Sequence, residues 1–177
     1  MPLVHSIGHS TRPLHELTGM LRDAGVRTLV DVRRHPVSRR HPQFGRDALA
    51  AGLRAAAIAY VHEPDLGGHR EPRADSPNTA WRNDAFRGYA DHIATPEFGR
   101  AVARVAALEH AAVMCAEALP VRCHRQLLAD ALVCLGLRVR HLIAPGRSKE
   151  HRLHPRAVCT QGTVLYPSAG QLALPPS

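Results

Sequence analysis

The sequence predicts an α/β protein, a Rossmann-like or flavodoxin-like three-layer sandwich with a mostly parallel sheet of about five strands. Short β-branched or apolar runs alternate along the chain with amphipathic helical patterns. Proline and glycine residues mark where those helical patterns begin and end. Strands joined through a helix run parallel, because the crossover between them is right-handed. Helices therefore cover both faces of the sheet.

The strand patterns occupy residues 3–7, 28–32, 59–62, 111–115 and 139–143. Helical patterns occupy residues 13–24, 47–57, 84–93, 95–108 and 123–135. We expect Ser10 or Thr11 to cap the first helix and Gly25 to stop it. Thr95 is the expected cap of the fourth helix, because Pro96 then takes the first helical position.

The 177 residues fit one domain, which we assign to residues 1–144. Residues 145–177 are rich in Pro, Ser and His and form an irregular extension, either packed on that domain or trailing from it. A weak hairpin surrounds Gly162. Residues 69–79 are polar and contain prolines, so they are expected to form a lid or a partly disordered loop.

No targeting segment and no run of eighteen apolar residues occurs, so we expect a cytoplasmic protein without a membrane span. A chain in that compartment keeps its cysteines reduced. The four cysteines are therefore expected to be thiols or metal ligands; they are Cys115, Cys123, Cys134 and Cys159.

The net charge of +8 comes almost entirely from arginine. Arginine favours phosphate-bearing partners, because its planar fork donates two parallel hydrogen bonds. High-GC coding also raises arginine content, so charge alone does not decide the function. The expected partner is a phosphate-bearing small molecule or a nucleic acid.

Four polar segments follow predicted strands, at residues 8–12, 33–44, 63–68 and 115–125. Ligands of parallel sheets bind outside the carboxyl ends of the strands. We therefore expect these four segments to converge on one site.

The same segments carry ordered motifs. They are Ile7-Gly8-His9-Ser10-Thr11-Arg12, Val30-Asp31-Val32-Arg33, Pro42-Gln43-Phe44, Leu66-Gly67-Gly68, Phe86-Arg87-Gly88-Tyr89-Ala90, and Cys115-Ala116-Glu117 with Cys123-His124-Arg125. With these motifs the chain resembles the domain of unknown function 488 family of bacterial and archaeal proteins, over residues 4–143. The resemblance implies that the Gly-His-Ser loop, the arginine after the second strand and the cysteine segments are signature features. It brings no settled activity.

Cys115 ends a buried strand and faces the start of the next helix, a position that lowers a thiol pKa. With Cys123 it is a candidate nucleophile, redox thiol or metal ligand; alternatively it is only the last buried residue of its strand. His9 and His124 are the histidines that the strand ends bring toward it.

Glu117 is the residue that we expect to transfer protons or to attack the substrate. A carboxylate beyond a strand end, partly dehydrated and flanked by arginines, can be tuned for either role. The alternative is that Glu117 caps the helix or pairs with an arginine.

The Cys-Ala-Glu segment followed by Pro120 and Cys123 is partly similar to zinc deaminases, although the interval is shorter than theirs. No cofactor is predicted. Zinc or iron on Cys115, Cys123 and either His124 or His9 remains the alternative.

Substrate contacts are expected from the glycine-rich turn, the arginine-rich loop and the last motifs. These residues are Gly8, Ser10, Thr11, Arg12, Arg33, Arg39, Arg40, Gln43, Arg125 and Tyr89. Free N–H groups in the turn would bind phosphate. The arginine-rich loop is otherwise a solvated surface, and Tyr89 is otherwise a core residue rather than a base-stacking one.

The leading hypothesis is an enzyme that acts on a nucleotide or nucleic acid, with glycosidic-bond cleavage by Glu117 as the reaction. The first alternative is a nucleic-acid-binding module without turnover. The second is a thiol redox, sulfur-transfer or metal-dependent protein that uses Cys115 and Cys123.

Overall fold

A computed structural model describes residues 1–170. Its main sheet has six strands in the order β3-β2-β4-β1-β5-β6, and two further strands form a hairpin. The strands are β1 Leu3–Gly8, β2 Thr28–Asp31, β3 Ala59–His62, β4 Ala111–Cys115, β5 Arg138–Ala144, β6 Arg147–Glu150, β7 Val158–Thr160 and β8 Thr163–Leu165. The helices are α1 Leu14–Asp23, α2 Arg46–Ala55, α3 Asp84–Ile93, α4 Pro96–Ala106 and α5 Arg125–Cys134.

The first five strands are parallel, and β6 adds an antiparallel edge beside β5. Buried residues of α1 and α2 pack on one face of the sheet, and those of α3, α4 and α5 pack on the other. This arrangement confirms the predicted three-layer α/β sandwich. The sheet order differs from both common doubly wound orders, because β4 is inserted between β1 and β2.

The helix ends agree with the sequence in some places and differ in others. Thr95 caps α4 as predicted, because its hydroxyl accepts the Phe98 N–H. The predicted cap of α1 is wrong: Pro13 is the N-cap residue, and no side chain caps that end. Gly25 follows the helix with a φ of 71°, which a glycine adopts without strain.

The segment after β3 is held on α3 through Asp91. That buried carboxylate accepts hydrogen bonds from the Arg73 N–H, the Ser76 hydroxyl and the Asn78 amide. At Gly88 a Cβ atom would lie 2.1 Å from the Arg70 carbonyl oxygen, so the segment contacts the helix backbone directly. Residues 69–79 are thus packed on α3 by specific hydrogen bonds, in contrast to the expected lid or disordered loop.

The chain beyond residue 144 contributes β6 and the β7–β8 hairpin, and the hairpin agrees with the pattern around Gly162. Tyr166 is fully buried and donates its hydroxyl to Asp130 on α5. Cys134 and Cys159 form a disulfide between α5 and β7, so the expectation of four reduced cysteines is wrong. The hairpin packs on α5 and so brings these two residues together although 25 positions separate them. Within residues 1–170, every helix is too short or too polar to cross a bilayer.

Candidate functional site

A cavity of about 610 Å³ opens at the carboxyl ends of the central strands. It is lined by residues from the loops after β1, β2, β3 and β4, and by α3. The lining includes six residues that the sequence predicts for the site: His9, Arg33, Cys115, Glu117, Cys123 and His124. Four loops that are distant along the chain therefore do meet in one hollow.

The strand order explains why the hollow forms there. The helix after β4 lies on one face of the sheet, whereas the helices after its neighbours β1 and β2 lie on the other face. Connections that leave adjacent strands in opposite directions open a crevice between them. Gly8, the last residue of β1, lets the loop after β4 approach closely, because a Cβ there would lie 1.9 Å from the Glu117 carbonyl oxygen.

Two thiols lie at the bottom of the cavity. The Sγ atoms of Cys115 and Cys123 are 2.9 Å apart, and both residues are buried and free. Cys115 ends β4, and a short 3-10 turn at Pro120–Arg122 brings Cys123 back to it. The distance is longer than a disulfide bond and short enough for one thiol to donate to the other.

Arg125, at the start of α5, lies behind this pair. It is 1 % exposed, and its guanidinium donates to the Ser6 hydroxyl and to the carbonyl oxygens of Glu117 and Ala118. Within residues 1–170 it takes part in no salt bridge, and its Nε has no hydrogen-bond partner. A buried cation without a carboxylate is costly, which favours a negative charge on a neighbouring group.

Cys115 is that neighbouring group. The hydrogen bond from Cys123 lowers the pKa of the Cys115 thiol to about 6. Burial alone would raise this pKa, and the positive charge of Arg125 lowers it further. The pKa of Cys123 is raised, chiefly because its thiol donates to Cys115. One sulfur is therefore a thiolate near neutral pH while the other keeps its proton.

His124 forms one wall beside the thiols. Its Nδ1 is 3.6 Å from the Cys123 Sγ, and its ring lies 4.9 Å from that of Tyr89. Burial lowers the pKa of His124 to about 3, so the imidazole is neutral. Gly68 makes room for the ring, since a Cβ there would lie 2.8 Å from Nδ1.

His9 and Arg33 form the opposite wall. The carboxylate of Asp31, which is fully buried, accepts from Nε and Nη2 of Arg33 at 2.8 and 2.6 Å. The Arg33 Nη1 lies 3.3 Å from His9 Nε2, and His9 Nδ1 is 2.9 Å from the Ser10 carbonyl oxygen. Because arginine only donates, His9 accepts at Nε2 and donates from Nδ1 as a neutral ring. Burial lowers its pKa to about 4, in agreement with that assignment.

Three N–H groups of the turn after β1, those of His9, Ser10 and Arg12, are already used in backbone hydrogen bonds. The His9 and Ser10 N–H groups donate to the carbonyl oxygens of Cys115 and Ala116, which extends the pairing of β1 with β4. Arg12 donates to Glu16, to the Gly8 carbonyl oxygen and to the Ile143 carbonyl oxygen, outside the cavity lining. These hydrogen bonds leave fewer N–H groups and no Arg12 guanidinium for the anion site that the sequence predicts at this turn.

Several other expected substrate contacts lie away from the cavity lining. Arg39 and Arg40 are exposed farther along the loop after β2, and Gln43 donates to the Arg12 carbonyl oxygen. Tyr89 is a fully buried core residue whose hydroxyl donates to the Leu66 carbonyl oxygen. Thr11 is exposed and does not line the cavity.

Glu117 lines the cavity, but its side chain is exposed, which contradicts the expected partial dehydration. Its Oε1 accepts the Leu119 N–H at 3.3 Å, as a local cap does. Among the salt bridges of residues 1–170, none involves Glu117. The alternative of a capping carboxylate is the one that this geometry supports.

Cys115, Cys123 and His124 place three potential metal-ligand atoms within 4.8 Å of one another. A tetrahedral zinc ion, with bonds to sulfur of about 2.3 Å, holds its two sulfurs about 3.8 Å apart. The 2.9 Å separation here would have to widen for such an ion. A divalent ion would also add positive charge beside Arg125, so the cluster fits a thiol–thiolate pair better than a metal.

Comparison with known proteins identifies the family. The family model described as "Domain of unknown function DUF488" matches residues 13–132, from the start of α1 through most of α5. The chain belongs to the DUF488 family. No curated protein and no solved structure gives a significant match to this DUF488 protein. The matched region contains Arg33, Cys115 and Cys123, whereas the turn at Gly8 precedes it.

Some residues of the site had not been identified from the sequence of this DUF488 protein. The Asp31 carboxylate binds the Arg33 guanidinium. The two residues are two positions apart at the end of β2, and this spacing is the sequence signal that could have identified the pair. Gly68 clears space for His124, which the doubled glycine after β3 hints at. Phe86 lines the cavity from α3.

Proposed function

We propose that this protein is a dithiol oxidoreductase that acts by thiol–disulfide exchange, with Cys115 as the nucleophile and Cys123 as the second thiol. The observation that carries the proposal is the buried pair of sulfurs 2.9 Å apart, one of which has its pKa lowered to about 6. A thiolate is the reactive form of cysteine, and a thiol with a pKa near ambient pH attacks disulfides most effectively.

In the first step, the Cys115 thiolate attacks one sulfur of a substrate disulfide. A bond forms between Cys115 Sγ and that sulfur, the substrate S–S bond breaks, and the other substrate sulfur leaves as a thiolate that takes a proton from water. Arg125 holds the attacking sulfur as an anion from behind, while the cavity admits the substrate from the front.

The second step follows from the electrostatics of the pair. The hydrogen bond to Cys115, burial and the negative charge on Cys115 raise the pKa of Cys123. The mixed disulfide removes that charge and weakens that hydrogen bond. Cys123 then loses its proton more readily, and its sulfur attacks Cys115 Sγ. A Cys115–Cys123 disulfide forms and the second substrate thiolate is released. The substrate disulfide gains two electrons and ends as two thiols. An external dithiol later supplies two electrons that reduce the Cys115–Cys123 disulfide.

Glycosidic cleavage by Glu117 has less support, since the carboxylate is exposed and bound to a backbone N–H. Three N–H groups of the loop after β4 are also already used in hydrogen bonds. The Leu119 N–H donates to Glu117, and the N–H groups of Arg122 and Cys123 donate to carbonyl oxygens of the same loop. An anionic substrate remains compatible with the cavity, because Arg34 and Arg122 line its exposed part.

The proposed reaction needs no bound cofactor, because the electrons come from soluble dithiols. We propose the cytoplasm as its location, where such reductants are abundant, although disulfides such as Cys134–Cys159 are rare in that compartment. The redox state of Cys115 and Cys123 in rapidly quenched cells tests this: a fully oxidised pair contradicts it.

The reaction is tested with 2-hydroxyethyl disulfide, a small neutral substrate, followed by intact-protein mass spectrometry. The wild-type chain is expected to form the Cys115–Cys123 disulfide without retaining substrate. Cys123→Ser should instead accumulate a mixed disulfide on Cys115. Cys115→Ser should react at least about 10-fold more slowly, because burial still raises the pKa of the remaining Cys123 thiol once the charge of Cys115 is gone.

The variant pair keeps the experiment specific, since both proteins retain the Cys134–Cys159 disulfide. A Cys115→Ser variant that reacts as fast as wild type contradicts the assigned nucleophile. Wild-type protein that never links Cys115 to Cys123 contradicts the dithiol mechanism.

A further inference from the structure

Two loops at the mouth of the cavity expose large apolar side chains. Val37, on the loop after β2, is 73 % exposed, and Val121 and Leu119, on the loop after β4, are 65 % and 41 % exposed. Val37 lines the cavity, and so does Arg122, the neighbour of Val121. We call Val37, Leu119, Val121 and the arginines of these two loops the rim.

The same loops carry a cluster of positive charge. The exposed arginines are Arg34, Arg39, Arg40 and Arg122. Within the described part of the chain, none of the four takes part in a salt bridge. Glu117 is the one carboxylate among the residues that line the cavity. The rim therefore combines apolar contact area with uncompensated cations.

The rim covers a larger surface than a small disulfide bound at Cys115 would contact. Cys115 lies at the bottom of the cavity and is 7 % exposed, whereas the apolar rim faces solvent outside it. Exposed apolar side chains surrounded by polar ones are typical of protein-binding surfaces. Arginine is likewise enriched in such interfaces, where it pairs with acidic groups.

The chemistry of the rim favours protein over nucleic acid. Single strands bind through aromatic side chains that stack on bases. The exposed large hydrophobic residues of the described chain are aliphatic, and the three on the rim are Val37, Leu119 and Val121. Aliphatic groups pack against apolar side chains of a polypeptide, and the arginines attract its carboxylates.

We propose that the rim docks an acidic segment of a disulfide-bearing protein and directs its disulfide into the cavity toward Cys115. This inference rests on the proposed dithiol function and names its substrate class. Charge complementarity accelerates the encounter, and the apolar contacts hold the segment in place.

The probes are two synthetic peptides that share one intramolecular disulfide flanked by leucine and valine. One carries four glutamates, and the other carries four lysines at the same positions. Exchange rates are divided by the rate with 2-hydroxyethyl disulfide. At about 0.05 M salt the acidic peptide is expected to react at least about 10-fold faster than the basic one, and less than about threefold faster at about 0.5 M salt.

The variants locate the effect on the rim. Arg39→Glu with Arg122→Glu should abolish the preference for the acidic peptide. Arg22→Glu with Arg54→Glu makes the same change in net charge near the C-terminal ends of α1 and α2, and should keep the preference. Val37→Ser with Val121→Ser should lower the rate with both peptides by about three- to tenfold relative to the small disulfide.

Binding of each peptide to the Cys115→Ser, Cys123→Ser protein, followed by fluorescence anisotropy, separates docking from chemistry. If this variant binds the acidic peptide and the wild-type protein does not exchange disulfides with it, the dithiol function is overturned and the docking surface is kept. Equal binding of both peptides, with intact exchange, overturns the docking surface alone. Tighter binding of a 20-nucleotide single-stranded DNA through Arg39 and Arg122, with no peptide preference, overturns it in favour of nucleic acid.

Discussion

The two ends of α5 hold two cysteine pairs with opposite states. Just before its first turn, Cys123 lies beside Cys115, and the two sulfurs are free. At its last residue, Cys134 is covalently joined to Cys159 of the C-terminal hairpin. The free pair is buried and has Arg125 behind it, whereas Cys159 lies on an exposed strand.

The difference shows that burial and counter-charge, rather than the cysteine itself, decide the chemistry. The hydrogen bond from Cys123 and the charge of Arg125 both lower the pKa of the Cys115 thiol, and the proposed function relies on that lowered pKa. The Cys134–Cys159 disulfide joins α5 to the C-terminal hairpin and acts as a staple. Substitutions at each pair separate the reactive role from the structural one.

Removal of the staple should have the largest effect. Cys134→Ser with Cys159→Ser is expected to lower the free energy of unfolding by about 3 kcal/mol, because the unfolded chain regains the entropy of an open loop. Urea titration measures the loss. The alkylation rate of Cys115 in the folded state should stay within about twofold of wild type, and a larger change would mean that the staple also tunes the site.

Loss of the counter-charge comes next. The Cys115 pKa of about 6 means that the thiolate forms as pH rises through 6, so iodoacetamide alkylation should level off above about pH 7. Arg125→Met is expected to move this midpoint up toward the ordinary value of about 8.5. At about pH 6.5 the rate should fall about 10- to 50-fold, and at about pH 9.5 it should nearly recover.

Arg125→Lys, which keeps the charge, should restore part of the lost rate. Arg104→Met, which removes an arginine paired with Glu63 away from the thiols, is the matched control and should keep the wild-type pH profile. An unchanged profile in Arg125→Met would show that Cys123 alone sets the Cys115 pKa.

The smallest effect is expected for Glu117→Gln. The amide oxygen still accepts the Leu119 N–H, so the exchange rate with a neutral disulfide should change by less than about threefold. A loss of 100-fold or more would return this carboxylate to the role of a catalytic acid or base.

The sequence was sufficient for the architecture and for the convergence of four loops on one cavity. The strand pattern at residues 59–62 and 111–115 coincides with β3 and β4, because short apolar runs between polar, glycine- or proline-bearing segments favour strands. The convergence of loops followed from parallel strands. The antiparallel edge strand β6 was not predicted, since its sequence Arg-Ser-Lys-Glu lacks any apolar pattern.

Side-chain roles were harder to predict, because they depend on partners distant in sequence. Arg125 donates to Ser6, which is 119 positions away in the sequence. This contact and the burial of the guanidinium show that the arginine lies inside the protein instead of facing a substrate. Arg12 is likewise occupied by the Ile143 carbonyl oxygen. The pairing of Cys134 with Cys159 depends on a hairpin that no local pattern directs onto α5.

The charged edge strand β6 has a consequence for the behaviour of the protein in concentrated solution. All four of its residues are exposed, and Glu150 is clasped by Arg138 and Arg140 of β5. Open sheet edges invite pairing with another molecule, and charged side chains along them oppose it. A second molecule that added to this edge in parallel, in-register fashion would set its Arg147 and Lys149 opposite the same two residues, so like charges oppose fibre-like growth at this border of the sheet.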